Sequence, residues 1–277
     1  MSGSALRQAQ GERSALPLTS KRTNGKPADG TMRIAMARIR AVSLDFYNTV
    51  VRFEPRREQI QAAACAEFDI TVDTNAVLRA YPAADQFLSE ENGKLPLSRR
   101  TPEDVRELWG RYEMLLLAGA GVTVDLELAS RIFERVWETR QGFAMFPDVV
   151  PSLQALREKG YSIGVVTNYE GGLAQTLLDL GIAEFMSFAV TSEEIGVAKP
   201  NPEIFEEALK RAGAGADEVV HVGDQPLADV QGPAGVGILP VLLDRDGVFE
   251  GYKDARVISS LEELPDLLDR LNAEWTS

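Results

Sequence analysis

Histidine and cysteine each occur once in this chain, as His221 and Cys65. An internal disulfide, a zinc site built from several cysteines and a paired-histidine metal site are therefore excluded. A Cys–His catalytic pair would need those two residues to meet, and nothing around them suggests it. Chemistry must rest on carboxylates, hydroxyls, amides and lysine. The candidates recur at one kind of position. Asp45 ends the run Ile39-Arg40-Ala41-Val42-Ser43-Leu44. Thr167 and Asn168 end YSIGVVTN (161–168), and Asp224 ends EVVHVGD (218–224) with Asp229 five residues on. Lys199 follows SFAVTS (187–192), just before Pro200-Asn201-Pro202. One aspartate at a strand end is ordinarily a turn or capping residue. Several loaded strand ends together are not explained that way.

Asp45, Asp224 and Asp229 against Lys199 leave such a site negative. Carboxylates held together raise one another's pKa and repel an anionic substrate. A divalent cation relieves both effects, and an oxygen-rich ligand set with few protein donors suits Mg2+. A carboxylate can also act as a nucleophile. Phosphoryl transfer to Asp45, with Mg2+ and Lys199 neutralising the equatorial oxygens, is a coherent chemistry for this set.

The elements that must position these residues follow from the pattern of the chain. After Phe146-Pro147-Asp148 the sequence alternates. A helix runs to Gly160, a strand covers 161–168, and the helix 172–180 stops at Gly181. Then come a strand over 187–192, the helix 202–213, a strand over 218–224, a short helix from Leu227, a strand over 238–244 and a closing helix over 260–272. Such alternation predicts an α/β fold with a parallel sheet covered on both faces, and ligands in such sheets bind outside the carboxyl ends of the strands. Residues from about 55 to 145 read instead as helix after helix, opened at Pro55 and at Pro102-Glu103-Asp104, with no strand between them.

Composition limits the rest. With 277 residues, 44% hydrophobic and 26% charged, the chain can build a sizeable core. A net charge of −13 argues against nucleic acid as a partner. No apolar run reaches the roughly 18–20 residues of a membrane span. Residues 1–40 carry eight Lys/Arg against Glu12 and Asp29, and the polar, Ser/Gly-rich segment 1–35 reads as a dispensable disordered extension. It lacks the apolar stretch of a secretory signal. Its acid-poor, Arg- and Ser-bearing composition leaves a transit peptide open, and a beginning at Met32 or Met36 is the reading preferred. The acidic body suggests the cytoplasm. The sequence sets no oligomeric state.

The runs LDFYNTV (44–50), VVTN (165–168), AKPNPEIF (198–205) and HVGDQPLADVQGPAGVGI (221–238) resemble, in order, the four motifs of the haloacid dehalogenase (HAD) superfamily. The resemblance covers about residues 38–272. It implies a Rossmann-like hydrolase core over 36–53 and 146–277, with an α-helical cap of the C1 type inserted at 54–145. It further implies Asp45 as nucleophile and metal ligand, and the backbone carbonyl of Tyr47 as a second ligand. Thr167 and the backbone amide of Asn168 would hold phosphoryl oxygens, Lys199 would bridge nucleophile and phosphate, and Asp224 and Asp229 would complete the Mg2+ site. The substrate would be a small anion, and the cap would open and close about linkers near 52–55 and 144–147.

Tyr47 departs from the phosphatase pattern, which places a second aspartate two residues after the nucleophile to protonate the leaving alkoxide. A phenol with a reference pKa near 10 is a poor substitute near neutrality. Tyrosine there resembles the 2-haloacid dehalogenase branch, whose halide leaves without a proton and which uses no Mg2+. The fourth motif weighs more, because Asp224 and Asp229 without a cation would destabilise a dehalogenase pocket. A Mg2+-dependent phosphatase on a small phosphorylated metabolite is therefore the expectation, followed by 2-haloacid dehalogenase and then by a weakly active or non-catalytic relative acting as a binding protein.

The other conspicuous residues read as structural. His221 suits a packing or hydrogen-bonding role on its buried strand, and Cys65 a small core position. Gly213 and Gly215 are followed by Glu218, so the dinucleotide fingerprint fails. Gly171-Gly172 either frees a loop to approach a phosphate or starts a helix. Arg56, Arg57, Arg99 and Arg100 of the helical block could meet an anionic substrate, although arginines are mostly solvated.

Overall fold

A computed structural model of the protein describes residues 39–139 and 142–274. The expected extension over 1–35 lies outside the described residues. Among the described residues there are eight strands: β1 (Ala41–Leu44), β2 (Val51–Glu54), β3 (Gly142–Met145), β4 (Ser162–Thr167), β5 (Phe188–Thr191), β6 (Val219–Gly223), β7 (Leu239–Leu243) and β8 (Arg256–Ile258). Four helices, α1 (Arg57–Ala66), α2 (Thr74–Lys94), α3 (Pro102–Gly119) and α4 (Leu126–Thr139), lie between β2 and β3. The rest are α5 (Val149–Glu158), α6 (Leu173–Asp179), α7 (Ser192–Ile195), α8 (Pro202–Ala212), α9 (Gly232–Gly235) and α10 (Leu264–Glu274).

Six strands form one parallel sheet in the order β5-β4-β1-β6-β7-β8. The chain builds outward from β1 through β4 to β5, then returns to the other side of β1 through β6, β7 and β8. The order thus reverses at β1, and the crevice at its carboxyl end is the natural ligand position. Alternation along each strand sends side chains to two buried faces. Val42, Leu44, Val220 and Val222 pack on one face with Leu153 of α5 and Leu268 of α10. Ala41, Val166, Val190 and Val219 pack on the other with Ile204 and Phe205 of α8.

The inserted helices have their own cores, around Val77, Tyr81, Tyr112 and Leu116, and around Ala64, Cys65, Leu117 and Ile132. Cys65 is therefore a core residue, as its apolar neighbours suggested. Local signals set the helix starts. Thr101 and Asp104 form a reciprocal capping box ahead of Pro102, and Asp73 caps α2 through the amides of Asn75 and Ala76.

Three features differ from the sequence reading. The linkers expected near 52–55 and 144–147 overlap an antiparallel ribbon of β2 and β3, with Phe53 opposite Phe143 and Glu54 opposite Gly142. β3 also falls inside the block expected to be purely helical. β8 extends the sheet by a strand only three residues long, too short to show a pattern of its own. The helix expected from Leu227 is a π-helical turn over Pro226–Gln231, and α9 follows it. Gly172 adopts a left-handed conformation immediately before α6, the position at which that pair starts a helix. No helix among the described residues is long and apolar enough to cross a membrane.

Candidate active site

Asp45, Thr167 and Asp224 stand at the carboxyl ends of β1, β4 and β6, joined by Lys199 from the loop after α7 and Asp229 from the π-helical turn, all of them buried. Lys199 lies at the centre. Its Nζ donates to Asp45 Oδ1 and to Asp229 Oδ1, each at 2.6 Å. Carboxylate oxygens of Asp45, Asp224 and Asp229 lie within 4.8 Å of one another. A glycine is required at 223, because a Cβ there would collide with the Asp229 carboxylate that folds back over the strand end.

Each group is held by neighbours the chain supplies locally. Asn168 braces the lysine: its Oδ1 accepts from the Lys199 amide at 2.8 Å and its Nδ2 donates to the Lys199 carbonyl at 3.1 Å. Thr167 Oγ1 accepts from the Tyr169 amide at 3.1 Å, which fixes the hydroxyl at the strand end. Asp229 Oδ2 accepts from the Gln225 amide at 3.0 Å, and His221 Nε2 contacts Asp229 Oδ1 at 3.2 Å. The opposite ring nitrogen of His221 meets Ser43 Oγ at 2.8 Å, across the β1–β6 pair in which Ser43 faces His221. His221 thus has the hydrogen-bonding role its buried strand position suggested.

Burial and like charge compete with Lys199 throughout this set. Burial pushes the Asp45 carboxyl above its usual range, with Lys199 opposing and Asp229 adding to the rise. Asp224 is pushed well above that range by burial and then by Asp45 and Asp229. Burial also acts to raise Asp229, but Lys199 and His221 outweigh it and hold that group low. The lysine is the mirror case: desolvation works against its charge, while Asp229 and Asp45 together keep it protonated.

Asp224 shows most directly what the set lacks. Asn48 Nδ2 donates to its Oδ2 at 2.7 Å, while Oδ1 is buried with no hydrogen-bond partner among the described residues. A buried carboxylate oxygen with no donor, beside two further carboxylates and one lysine, is the donor set that suits a hard divalent cation such as Mg2+.

Asn48 was not singled out in the sequence. It has a left-handed backbone (φ 60°), a conformation asparagine tolerates, and it turns the chain after Asp45 so that its amide reaches Asp224. The same turn packs the half-buried Tyr47 against Phe53, at 4.5 Å between ring centroids. Burial pushes the Tyr47 phenol far above its ordinary value.

Two cavities flank the carboxylates beneath the inserted helices. One, of about 240 Å3, is lined by Asn48, Asp85, Ser89, Asp224 and Gln225 among others. The second, of about 170 Å3, is mainly aromatic and begins at Tyr47. Arg57 borders both. Its guanidinium lies 3.8 Å from the Tyr81 ring centroid and 3.0 Å from Asp85, whose other oxygen accepts from the Tyr112 hydroxyl at 2.8 Å. Arg57 is therefore not the solvated arginine expected at that position. Ser89 of α2 reaches Gln225 at 2.5 Å, and Asn201 donates to the Gly93 carbonyl at 2.8 Å, so the helical insert contacts both ends of the site loop system.

Glu113 of α3 borders the aromatic cavity and is fully buried. Burial raises its carboxyl to about 8, with a hydrogen bond from Gln61 opposing. A raised carboxyl contributes stability that is fully present below its unfolded value of 4.5 and is lost as pH rises through about 8. Wild type should therefore lose a few kcal/mol relative to Glu113→Gln between about pH 5 and pH 8. Chemical denaturation of both proteins across that range tests this; a pH-independent difference would contradict it.

The geometry can be set beside known proteins. The haloacid dehalogenase-like hydrolase family model matches residues 39–237. Glyceraldehyde 3-phosphate phosphatase of Methanopyrus kandleri is 38% identical over 166 residues, covering 57% of this chain and 68% of that protein. A HAD phosphatase from Thermococcus onnurineus has 26% identity and a TM-score of 0.51, over 83% of this chain and 98% of that one. A 2-haloacid dehalogenase from Pseudomonas syringae pv. Tomato DC3000 has 28% identity and a TM-score of 0.51, over 84% and 99%.

Proposed function

The chain belongs to the haloacid dehalogenase-like hydrolases, and we propose that it is a Mg2+-dependent phosphatase for a small phosphorylated metabolite, with Asp45 as nucleophile. The observation that carries this reading is the unpartnered, buried Oδ1 of Asp224 beside Asp45 and Asp229. The similarity to phosphatases from Methanopyrus kandleri and Thermococcus onnurineus supports it. Asp45, Asp224 and the Tyr47 carbonyl would hold the cation, with Asp229 acting directly or through water. When bound, Mg2+ supplies charge neutralisation to the phosphoryl group and its carboxylate neighbours.

The protein's own groups do the rest. Asp45 Oδ1 is engaged by Lys199, and the other carboxylate oxygen attacks phosphorus. The ester P–O bond breaks, its electron pair leaves with the alcohol oxygen, and water then hydrolyses the aspartyl phosphate. Lys199, the Thr167 hydroxyl and the Asn168 backbone amide hold the phosphoryl oxygens. Lys199 is braced for this by the Asn168 side chain. The helical insert over the site limits water and receives the leaving group. We assign the reaction to the cytoplasm, in keeping with an acidic chain of net charge −13 and a small anionic substrate.

Phosphate release from a panel of phosphomonoesters, with and without EDTA, tests this function. The expected result is Mg2+-dependent release that falls at least about 100-fold in EDTA. Tyr47 and the similarity to a 2-haloacid dehalogenase favour a second reading. Chloride release from L-2-chloropropionate that ignores EDTA would establish that reading instead.

A further inference from the structure

Building on the phosphatase reading, we propose that the substrate is an aryl phosphate with a polar substituent on its ring, seated in the aromatic cavity with Glu113 as its specificity-determining partner. Three independent observations converge on this.

The first is shape. The cavity holds about 170 Å3, and Phe53, Tyr81, Trp109, Tyr112 and Phe133 line it beyond Tyr47. Trp109 stacks on Phe133 at 4.5 Å and meets Tyr112 edge-on at 5.4 Å, so the cavity offers both ring faces and ring edges. An apolar cavity of about 150 Å3 accommodates benzene, so one aromatic ring fits this space.

The second is Glu113. Its Oε1 accepts from Gln61, while Oε2 is buried without a hydrogen-bond partner among the described residues. Burial keeps the carboxyl protonated up to about pH 8, so it has an O–H to donate. Buried polar atoms in native structures are almost always partnered, and a hydroxyl or amine on a seated ring would supply the partner.

The third is the chemistry at Tyr47. Tyrosine stands where the phosphatase pattern places a general-acid aspartate, so no carboxyl is supplied there to protonate a leaving alkoxide. A phenoxide, whose conjugate acid has a pKa of about 10, departs without that help. In the balanced reaction an Asp45 oxygen bonds to phosphorus as the aryl P–O bond breaks, and the electron pair leaves on the phenoxide, which takes a proton from solvent. Water then attacks phosphorus, the bond to Asp45 breaks, and inorganic phosphate and a proton are released. The residue that departs from the phosphatase pattern and the aromatic cavity beside it thus select the same leaving group.

The test uses non-hydrolysable probes in Mg2+, with binding followed by calorimetry. Phenylphosphonate should bind wild type at least 10-fold more tightly than methylphosphonate, and a 4-hydroxyl on the ring should add a further gain. Leu88 and Val136 also line the cavity; Leu88→Trp, which fills it, should abolish the phenyl preference and leave methylphosphonate binding unchanged, and Val136→Phe provides a second filling variant. Glu113→Leu should keep the phenyl preference and lose the gain from the hydroxyl. Equal affinity of wild type for the two phosphonates, or cavity filling that weakens both alike, would overturn the proposal. Mg2+-dependent hydrolysis of acetyl phosphate separates the two levels, since that compound has a good leaving group and needs no aromatic cavity. Its turnover without any phenyl preference would sink the aryl assignment alone. No turnover of acetyl phosphate or phenyl phosphate would sink the phosphatase reading and this one with it.

Discussion

Asp45→Asn is expected to lower turnover by at least about 10⁴-fold while leaving the protein folded. An amide has the same shape as the carboxylate but is not a competent nucleophile, so the covalent step has no substitute route. The fold should tolerate the change. Burial, with Asp229 adding to it, pushes the Asp45 carboxyl upward, and Lys199 keeps its second partner in Asp229 at 2.6 Å. A thermal midpoint within a few degrees of wild type, with phosphate release reduced to background, is the expected pair of measurements. Full activity in a well-folded variant would remove Asp45 as nucleophile.

Lys199→Met should have the opposite balance, with a large effect on stability as well as on activity. Lys199 is 2% exposed, and its ammonium is bonded to both Asp45 and Asp229. Removing one partner of a buried ion pair typically costs about 3–5 kcal/mol, because the remaining charge stays buried without compensation. For a chain of this size, that lowers the thermal midpoint by roughly 10 °C. The deficit has a definite dependence on conditions. Without the lysine, the Asp45 and Asp229 carboxyls take up protons more readily, so the deficit is largest at alkaline pH and shrinks in acid. Mg2+ should recover part of it through the same carboxylates. Thermal unfolding of wild type and variant at pH 5 and pH 8, with and without MgCl2, measures all three effects. A loss below about 1 kcal/mol at pH 8 would mean that the three acids do not depend on this cation.

The residues of the carboxylate cluster were legible in the sequence for a physical reason. A strand buried on both faces reads as an apolar run, so the first polar residue after it marks a strand end. Parallel strands place those ends on one edge. The run pattern alone therefore brings Asp45, Thr167 and Asp224 together, and Lys199 joins them from the loop beyond β5 and α7. It does not reach Arg57, Asp85 and Glu113. They lie on helices whose inward faces are set by packing between α1, α2 and α3, and a buried charged residue at helical spacing looks like a solvated one until its neighbours are known. Asn48 was hidden differently, because its role depends on a left-handed backbone within a turn and on an acid far along the chain. The strands of the ribbon were lost through brevity: four residues such as Gly142–Met145 carry too little alternation to interrupt a helical block.

That ribbon has a consequence for how such a protein diversifies. Glu54 and Gly142 are cross-strand partners, so the chain enters and leaves the four-helix insert at a single doorway. Everything between those two residues can be lengthened, shortened or exchanged without altering a register in the six-stranded sheet. Asp45 and its companions sit on the other side of the doorway, attached to strands that do not pass through it. On the reading proposed above, the reaction and the choice of substrate are housed in separately replaceable parts of the chain. A graft that joins a foreign helical insert at Glu54 and Gly142 would inherit the chemistry intact and bring its own selectivity.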